Sequence, residues 1–469
     1  MKFVIVGGGI SGWLSALIFS HRQPNHEYVI IESSEVNTIG VGEGTTGLFV
    51  ETIEDLPDIN VAEFLRETKA TPKIGIEFNN WSGKGSTFFN PIDGTLTTNE
   101  DFDSFLYFTY TENPSLDTSS LHGLLKRKNK SPYTEKLKDY NSALHLDNKL
   151  TIQYLKSKSL KRKNIKYISD TVSKIQRNET GKVEKIICSN NIIEGDIFID
   201  CTGYSRIFSE KSDWVSFKDN LPMNSVTTFT RKHNVSMVTK ADKLNLGWCW
   251  QIPTQERIGC GYVSCDEWGN NVVDEIKSNY PDAEIVKSFK FDSGKLKKSW
   301  NQNVISLGLA YHFLEPLQAT NIHLTLVQID ILCQRCIRET KDRTLNPDVI
   351  SIYNKHIDNL IEDFKNFINI HYSRDSRVTL TDYNKKIISL LKVRGLFFED
   401  LPQLYGCSGI GLWGHTLLGL NHLTKQECHN FLSEMNLYDE VKEISSELQT
   451  TFTNTSFLSY KELIKKLSI

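Results

Sequence analysis

A few stretches of this chain have residue types and spacings from which chemistry could be built. Gly7, Gly9 and Gly12 fall in a G-x-G-x-x-G, Gly7-Gly8-Gly9-Ile10-Ser11-Gly12, and an acid, Glu32, closes the next apolar run. Glycines there let backbone approach a pyrophosphate. A helix opening at Ile10 and Ser11 offers amides and the positive end of its dipole, and Glu32 can accept from both ribose hydroxyls. A second glycine-rich run, residues 38–47, follows that acid and again suggests backbone close to a ligand. Near the middle, Trp248 and Trp250 alternate in Gly247-Trp248-Cys249-Trp250-Gln251-Ile252-Pro253, so on a strand both indoles and Ile252 share one face. Such a pair either fills a core or walls off a site. Lys73 stands at the start of an alternating run and reads from its neighbours alone as an exposed edge lysine. Cys333 and Cys336 form a C-x-x-C in a helical pattern without a second pair at zinc spacing, which predicts two buried small residues rather than metal or redox chemistry.

The elements that must position these residues can be read from periodicity. Residues 2–6, the glycine turn and a helix carrying Trp13, Leu14, Leu17 and Ile18 read as strand–turn–helix, and residues 28–32 supply the next strand of a βαβ unit. Residues 61–69 read as a helix, and residues 74–81 as a strand with Ile74, Ile76 and Phe78 on one face. Pro253 closes the tryptophan strand, and residues 258–263 read as its antiparallel return. A helix starts at His145-Leu146-Asp147 and runs through Leu155, and residues 192–199 read as one strand leading to Asp200-Cys201-Thr202-Gly203. Beyond residue 352 the pattern is largely helical, with long runs at 353–372 and 437–469. Phe102, Phe105, Tyr107, Phe108 and Tyr110 either line a pocket or fill a core. The lysine-rich tracts at 124–130 and 156–166 read as solvated faces.

Five of these blocks, in this order and over residues 7 to about 323, resemble the flavin-dependent halogenases of the tryptophan halogenase family. Gly247 to Pro253 resembles the Trp-x-Trp-x-Ile-Pro signature, and Val41-Gly42-Glu43 resembles the run beside the flavin. Lys73, just before Gly75-Ile76-Glu77-Phe78, matches the family's essential lysine, and residues 308–323 resemble its Gly-Leu…Glu-Pro-Leu-Glu-Ser-Thr-Gly-Ile block. The resemblance implies an α/β fold: an FAD-binding Rossmann-like core of the flavoprotein monooxygenase type, a mixed or antiparallel substrate sheet, and a C-terminal helical unit. The core would span 1–345, with a discontinuous nucleotide domain at about 1–50, 140–205 and 290–345, substrate segments inserted at about 51–139 and 206–289, and a helical cap at 346–469.

By the same resemblance, FAD would lie against Gly7, Gly9, Ile10, Ser11, Gly12 and Glu32, then Val41, Gly42 and Glu43, and finally Asp200, Gly203, Gly308, Leu309 and Ile322. Halide would sit on the amides of Thr320 and Asn321. A separate reductase would deliver FADH2, oxygen would give a flavin hydroperoxide, and halide would attack it to form hypohalous acid that travels to Lys73. Trp248 and Trp250 would wall flavin from substrate, with Glu315 nearby. Two positions depart from the family. Gln318 stands where a catalytic carboxylate is expected, so another acid, water or the substrate's own acidity must remove the ring proton. Asn321 replaces a glycine but still offers an amide and tolerates positive φ. The alternatives are an FAD-dependent aromatic hydroxylase consuming NAD(P)H, or a flavin-binding protein without catalysis.

Composition sets limits around this reading. The net charge is −3, with 54 basic against 57 acidic residues, which gives no electrostatic case for nucleic acid or a membrane surface. Nine scattered cysteines point to a reducing, cytoplasmic setting rather than a disulfide framework. The partners expected are a flavin reductase and a small aromatic substrate, with self-association into a homo-oligomer left open and no metal.

Overall fold

The computed structural model describes residues 1–36, 42–92, 120–232, 234, 236–396, 400–401, 410–436 and 438–467. Val41 and the aromatics at 102–110 lie outside them. Two sheets position the site. The first has six strands in the order Trp300–Asn301, Val304–Ser306, Ile197–Asp200, Lys2–Val6, Glu27–Glu32, Ile165–Ser169. All its pairings are parallel except the one between the first two strands. Lys2–Val6 is central and covered on both faces, which explains its near-continuous apolar run. The glycine turn follows its C-terminal end and delivers the helix Ile10–Arg22, packed through Trp13, Leu14, Leu17 and Ile18.

The second sheet has seven strands, Glu284–Lys290, Ser225–Arg231, Ile258–Ser264, Gly247–Pro253, Val238–Lys243, Gly75–Asn79, Thr87–Pro91, antiparallel but for the pairing of Val238–Lys243 with Gly75–Asn79. Its hairpin sets Trp248 opposite Val263 and Trp250 opposite Gly261. A Cβ on Gly261 would stand 2.0 Å from the Trp250 ring, so only glycine leaves room for that indole across the strand. The helices Pro347–Ile370 and Asp382–Arg394 and those beyond residue 410 follow the sheets in sequence. No described helix is long and apolar enough to cross a membrane.

Several boundaries differ from the periodicity reading, each for a local reason. The run 71–79 is two strands, Thr71–Lys73 and Gly75–Asn79, in different sheets, so Ile74 packs in a separate cluster from Ile76 and Phe78. His145 and Leu146 belong to the strand Ala143–Leu146; the helix is Asn148–Ser159, with the Asp147 carboxylate capping it by accepting from the amide of Leu150. The run 192–199 divides into Ile192–Glu194 and Ile197–Asp200 because the chain changes sheets at Gly195, where a Cβ would meet Val4 at 2.6 Å. The last helical run is interrupted by Phe457–Ser459, which pairs with Lys130–Thr134. The lysine tracts are not simply solvated: Lys126 pairs with Glu77, Lys156 with Glu32 and Lys158 with Glu63. Cys333 and Cys336 are buried in a π-helical turn, where desolvation raises their thiols to about 12 and about 11.

Candidate active site

One cavity of about 480 Å³ runs from the glycine turn to Lys73 and the tryptophan hairpin. At its nucleotide end lie Gly7, Gly9, Ile10, Ser11 and Glu32, with Thr202, Gly203 and Tyr204 from the loop after the central sheet. Gly7 has φ +123°, and a Cβ there would stand 2.2 Å from the carbonyl of Cys201, so the turn requires glycine. Gly9 precedes the helix with no side-chain cap, leaving the first amides directed at the cavity. Glu32 folds over Gly8, and its Oε2 accepts from Lys156 Nζ at 2.5 Å. Oε1 remains for a ribose hydroxyl. This end therefore fits a dinucleotide such as FAD: open amides for the pyrophosphate, an acid for the ribose, and no Cβ in the way.

Farther along, Gly42, Glu43, Leu309 and Ile322 also line the cavity. Glu43 accepts from Asn148 Nδ2 at 2.7 Å, and burial raises its carboxyl above the usual range. Gly12, Asp200 and Gly308 are not on the cavity wall. The Asp200 carboxylate is fully buried behind the loop, where it accepts from the amide and hydroxyl of Thr202 at 2.9 and 2.6 Å and so shapes the turn from beneath.

Lys73 occupies the other end. Its side chain lines the cavity yet is fully buried, contrary to the exposed edge lysine that its neighbours alone suggest. Its ammonium donates to the carbonyl of Thr45 at 2.9 Å. A Cβ on Gly44 would lie 3.2 Å from Lys73 Nζ and 3.5 Å from Ala319 Cβ, so Gly44 is the point where the lysine and the 318–321 turn meet. Beneath it, His145 is held by two threonines. The Thr71 hydroxyl donates to the carbonyl of Pro253 at 2.6 Å and accepts from His145 Nδ1 at 3.0 Å, which leaves Nε2 to accept from Thr239 at 2.8 Å. Burial first, and the Lys73 charge second, keep this imidazole neutral well below its ordinary pKa.

Trp248 and Trp250 also line the cavity, with ring centroids 6.0 Å apart and planes at 55°. The Trp248 indole N–H donates to the Tyr372 hydroxyl at 2.9 Å, and that hydroxyl donates to Glu315 Oε2. Glu315 Oε1 accepts from the amide of Met223 at 3.2 Å. Glu315 is fully enclosed and absent from the cavity wall, and burial raises its carboxyl to about 7 despite those donors. It fixes the tryptophan wall from behind.

Gln318 lies in the adjoining turn, Pro316–Gln318, where it is buried and not on the cavity wall, and its Nε2 is 2.8 Å from Nε2 of His371. The helix Thr320–Ile331 follows, with Ala319 as an N-cap that offers no side-chain acceptor, leaving its first amides open. It is Ala319, at φ 58°, that takes the left-handed conformation; Asn321 is helical, and its side chain is tied to the backbone of Leu314. Asn321 lines the cavity, whereas Thr320 is sealed just behind it with an unpartnered Oγ1.

The fold thus gathers Lys73, Trp248, Trp250 and Asn321 on one surface, with Glu315, Gln318 and Thr320 off its wall. Sequence reasoning missed Thr45, Lys156, His371 and Tyr372. Lys156 was hidden in a basic tract, and His371 and Tyr372 sit at the end of a long helix whose spacing says only that they are buried.

The sequence profile of the tryptophan halogenases matches residues 2–408. The chain is 25% identical over 409 residues to the tryptophan 7-halogenase RebH of Lentzea aerocolonigenes, covering 79% of this chain and 76% of the relative. It is also 25% identical over 417 residues to the tryptophan 6-halogenase ThaL of Streptomyces albogriseolus, covering 80% and 76%. The solved structure of Tar14, a tryptophan C-6 flavin-dependent halogenase from taromycin biosynthesis, superposes with a TM-score of 0.85 at 20% identity over 100% of both chains, a likeness of fold. The match of the family profile along most of the chain carries the conclusion: this protein belongs to the tryptophan halogenase family and is a flavin-dependent halogenase.

Proposed function

We propose that this enzyme halogenates a small electron-rich arene of the indole or phenol type, with Lys73 as the group at which hypohalous acid meets the ring. The chemistry supplied by bound reduced FAD with O2 is the two-electron oxidation of halide to hypohalous acid. The rest belongs to the chain. The open amides before and within the first turn of Thr320–Ile331 hold halide through N–H dipoles. Trp248 and Trp250 keep the arene from the flavin end. Lys73, anchored on Thr45, holds the electrophile by hydrogen bond or as a haloamine in a space closed to bulk water.

The observation that carries this reading is the full burial of Lys73 on the wall of the cavity that begins at the glycine turn. A lysine is rarely enclosed without a task. The reading includes a separate flavin reductase as partner and a cytoplasmic setting, and the eight cysteines among the described residues are free thiols, which suits a reducing compartment. The test is mass spectrometry of products from purified protein with FAD, a flavin reductase, NADH, air and one halide at a time, offered indoles, phenols and anilines. A halogen mass shift that Lys73→Ala loses is expected. Equal product from both proteins would mean leaked hypohalous acid and would remove Lys73 from the mechanism, and an added oxygen would favour hydroxylation.

A further inference from the structure

With Gln318 off the cavity wall, the ring proton needs another acceptor, and the wall beside Lys73 carries one. The strand Val238–Lys243 runs parallel to Gly75–Asn79 and sets Thr239 opposite Ile76, three residues past Lys73. Thr239 lines the cavity together with Ile76, Ala241, Trp250 and Ile252 of the same sheet, a polar group in an apolar stretch. Its hydroxyl proton is already committed. Thr71, two residues before Lys73, gives its own proton to the carbonyl of Pro253 and so accepts from His145 Nδ1, which leaves Nε2 as the bare nitrogen to which Thr239 donates at 2.8 Å. Toward the cavity Thr239 Oγ1 can therefore only accept, and behind it stands a neutral imidazole. Two other polar side chains of the wall are engaged elsewhere. Asn321 is tied to the backbone of Leu314, and Glu43, alternating with the Gly44 that meets Lys73, accepts from Asn148.

We propose that the Thr239 hydroxyl, backed by His145, takes the proton that the ring loses on halogenation, the role that position 318 leaves without a carboxylate. The inference rests on the halogenase reading above and names the group that completes its reaction. The ring's π pair forms the carbon–halogen bond, and the oxygen–halogen bond breaks with its pair leaving on oxygen as hydroxide. The ring proton passes to Thr239 Oγ1 as the hydroxyl's own proton passes to His145 Nε2, and the carbon–hydrogen pair restores the aromatic ring. The imidazolium returns its proton through Thr239 to the hydroxide, so arene plus hypohalous acid gives haloarene plus water. A halogenated cationic ring is a strong acid, so a base weakened by burial still takes its proton downhill. Neutral at rest, that base adds no second positive charge beside Lys73. Thr239 is the catalytic residue of the pair; His145 acts through it, and Thr71 holds His145 in the required tautomer.

The test follows single turnovers of the full chain loaded with reduced FAD and mixed with air, bromide and either indole or phenol. Each arene is supplied with ring hydrogen or ring deuterium, and only product that Lys73→Ala loses is counted. In the wild type both isotopic forms should react at the same rate, because the proton leaves quickly once the carbon–halogen bond has formed. Thr239→Val keeps the shape and removes the hydroxyl. It is expected to slow product formation about tenfold or more and to make the deuterated ring slower than the protiated one by about twofold or more. His145→Gln should do the same. Thr239→Ser, which restores the hydroxyl, should recover most of the rate and bring the isotope ratio back toward one, whereas a mere disturbance of packing slows both forms alike. Nitrogen-15 NMR of the wild-type His145 ring at pH 7 should show its proton on Nδ1. An unchanged rate in Thr239→Val, a slower rate without an isotope effect, or a proton on Nε2 would each overturn this inference while wild-type product leaves the halogenase reading standing. No haloarene from the wild type would overturn that reading and this inference with it.

Discussion

The two ends of the cavity are built by opposite means. At the nucleotide end the working groups are backbone amides and glycine-shaped space, drawn mainly from one βαβ stretch, and Glu32 and Lys156 are the charged additions. At the other end, proposed above as the reactive end, the construction is by side chains, Lys73 and Trp248 on the wall and Glu315, Gln318 and His371 off it, brought from distant parts of the chain and held by buried hydrogen bonds. Backbone function tolerates any side chain that leaves the path clear. Side-chain function is less tolerant, because each group is fixed by a specific buried partner.

The division is sharpest in a reciprocal pair of variants. Lys73→Ala is expected to lower halogenated product to background while the Kd for FAD stays within about twofold. Gly7→Ala forces a Cβ against the carbonyl of Cys201 in a left-handed backbone, and it should weaken FAD binding by at least about tenfold and destabilise the fold by about 2 kcal/mol or more. Flavin titration and product analysis of both proteins would read the two ends separately. Loss of FAD from Lys73→Ala would show that the ends are one unit and dissolve the contrast.

Glu315 offers a smaller lever. Its carboxyl is raised from 4.5 to about 7 in the folded chain, mainly by burial, so between those pH values the folded state binds a proton that the unfolded state has released. The contribution of Glu315 to stability therefore falls as pH rises from about 4.5 to about 7 and is constant above. The total is on the order of 3 kcal/mol. Glu315→Gln removes this dependence, so the stability of the wild type relative to the variant should drop by roughly that amount between pH 4.5 and pH 8, read by urea unfolding at each pH. Parallel curves would mean that Glu315 is ionised across the range and holds Tyr372 and Trp248 as an ordinary carboxylate.

The same contrast explains what could be read before the fold was known. The glycine turn, Glu32 and the tryptophan hairpin were legible because their function depends on spacing along one or two elements, and period-2 alternation alone puts Trp248 and Trp250 on one face. Lys73 was legible only through family resemblance, since nothing adjacent to it says that Thr45 and Gly44 will enclose it. His371 and Tyr372 could not be found that way. They are consecutive residues, one meeting Gln318 and the other joining Trp248 to Glu315, and only the packing of the turn His371–Arg374, at the end of the long helix, against Phe78, Trp81 and Trp248 gives them those partners. The left-handed residue is a related case: Asn321, standing at the family's glycine, tolerates positive φ but is helical, and the turn into the helix bends at Ala319 instead.

At that turn the proposed halide contacts are backbone amides, which makes Ala319 the finest probe of the contrast. A left-handed alanine costs about 1 kcal/mol relative to glycine, and its Cβ stands 3.5 Å from where a Cβ on Gly44 would be. Ala319→Gly should therefore raise stability by up to about 1 kcal/mol, partly offset by the greater freedom of glycine in the unfolded chain, as a shift in the urea midpoint. If halide is held by the amides that follow, the looser turn should raise the KM for halide about two- to threefold while leaving the Kd for FAD and for the arene unchanged. A change in arene binding instead would mean that residue 319 acts through the side chains of Lys73 and Gln318, and the reactive end would then use side chains throughout.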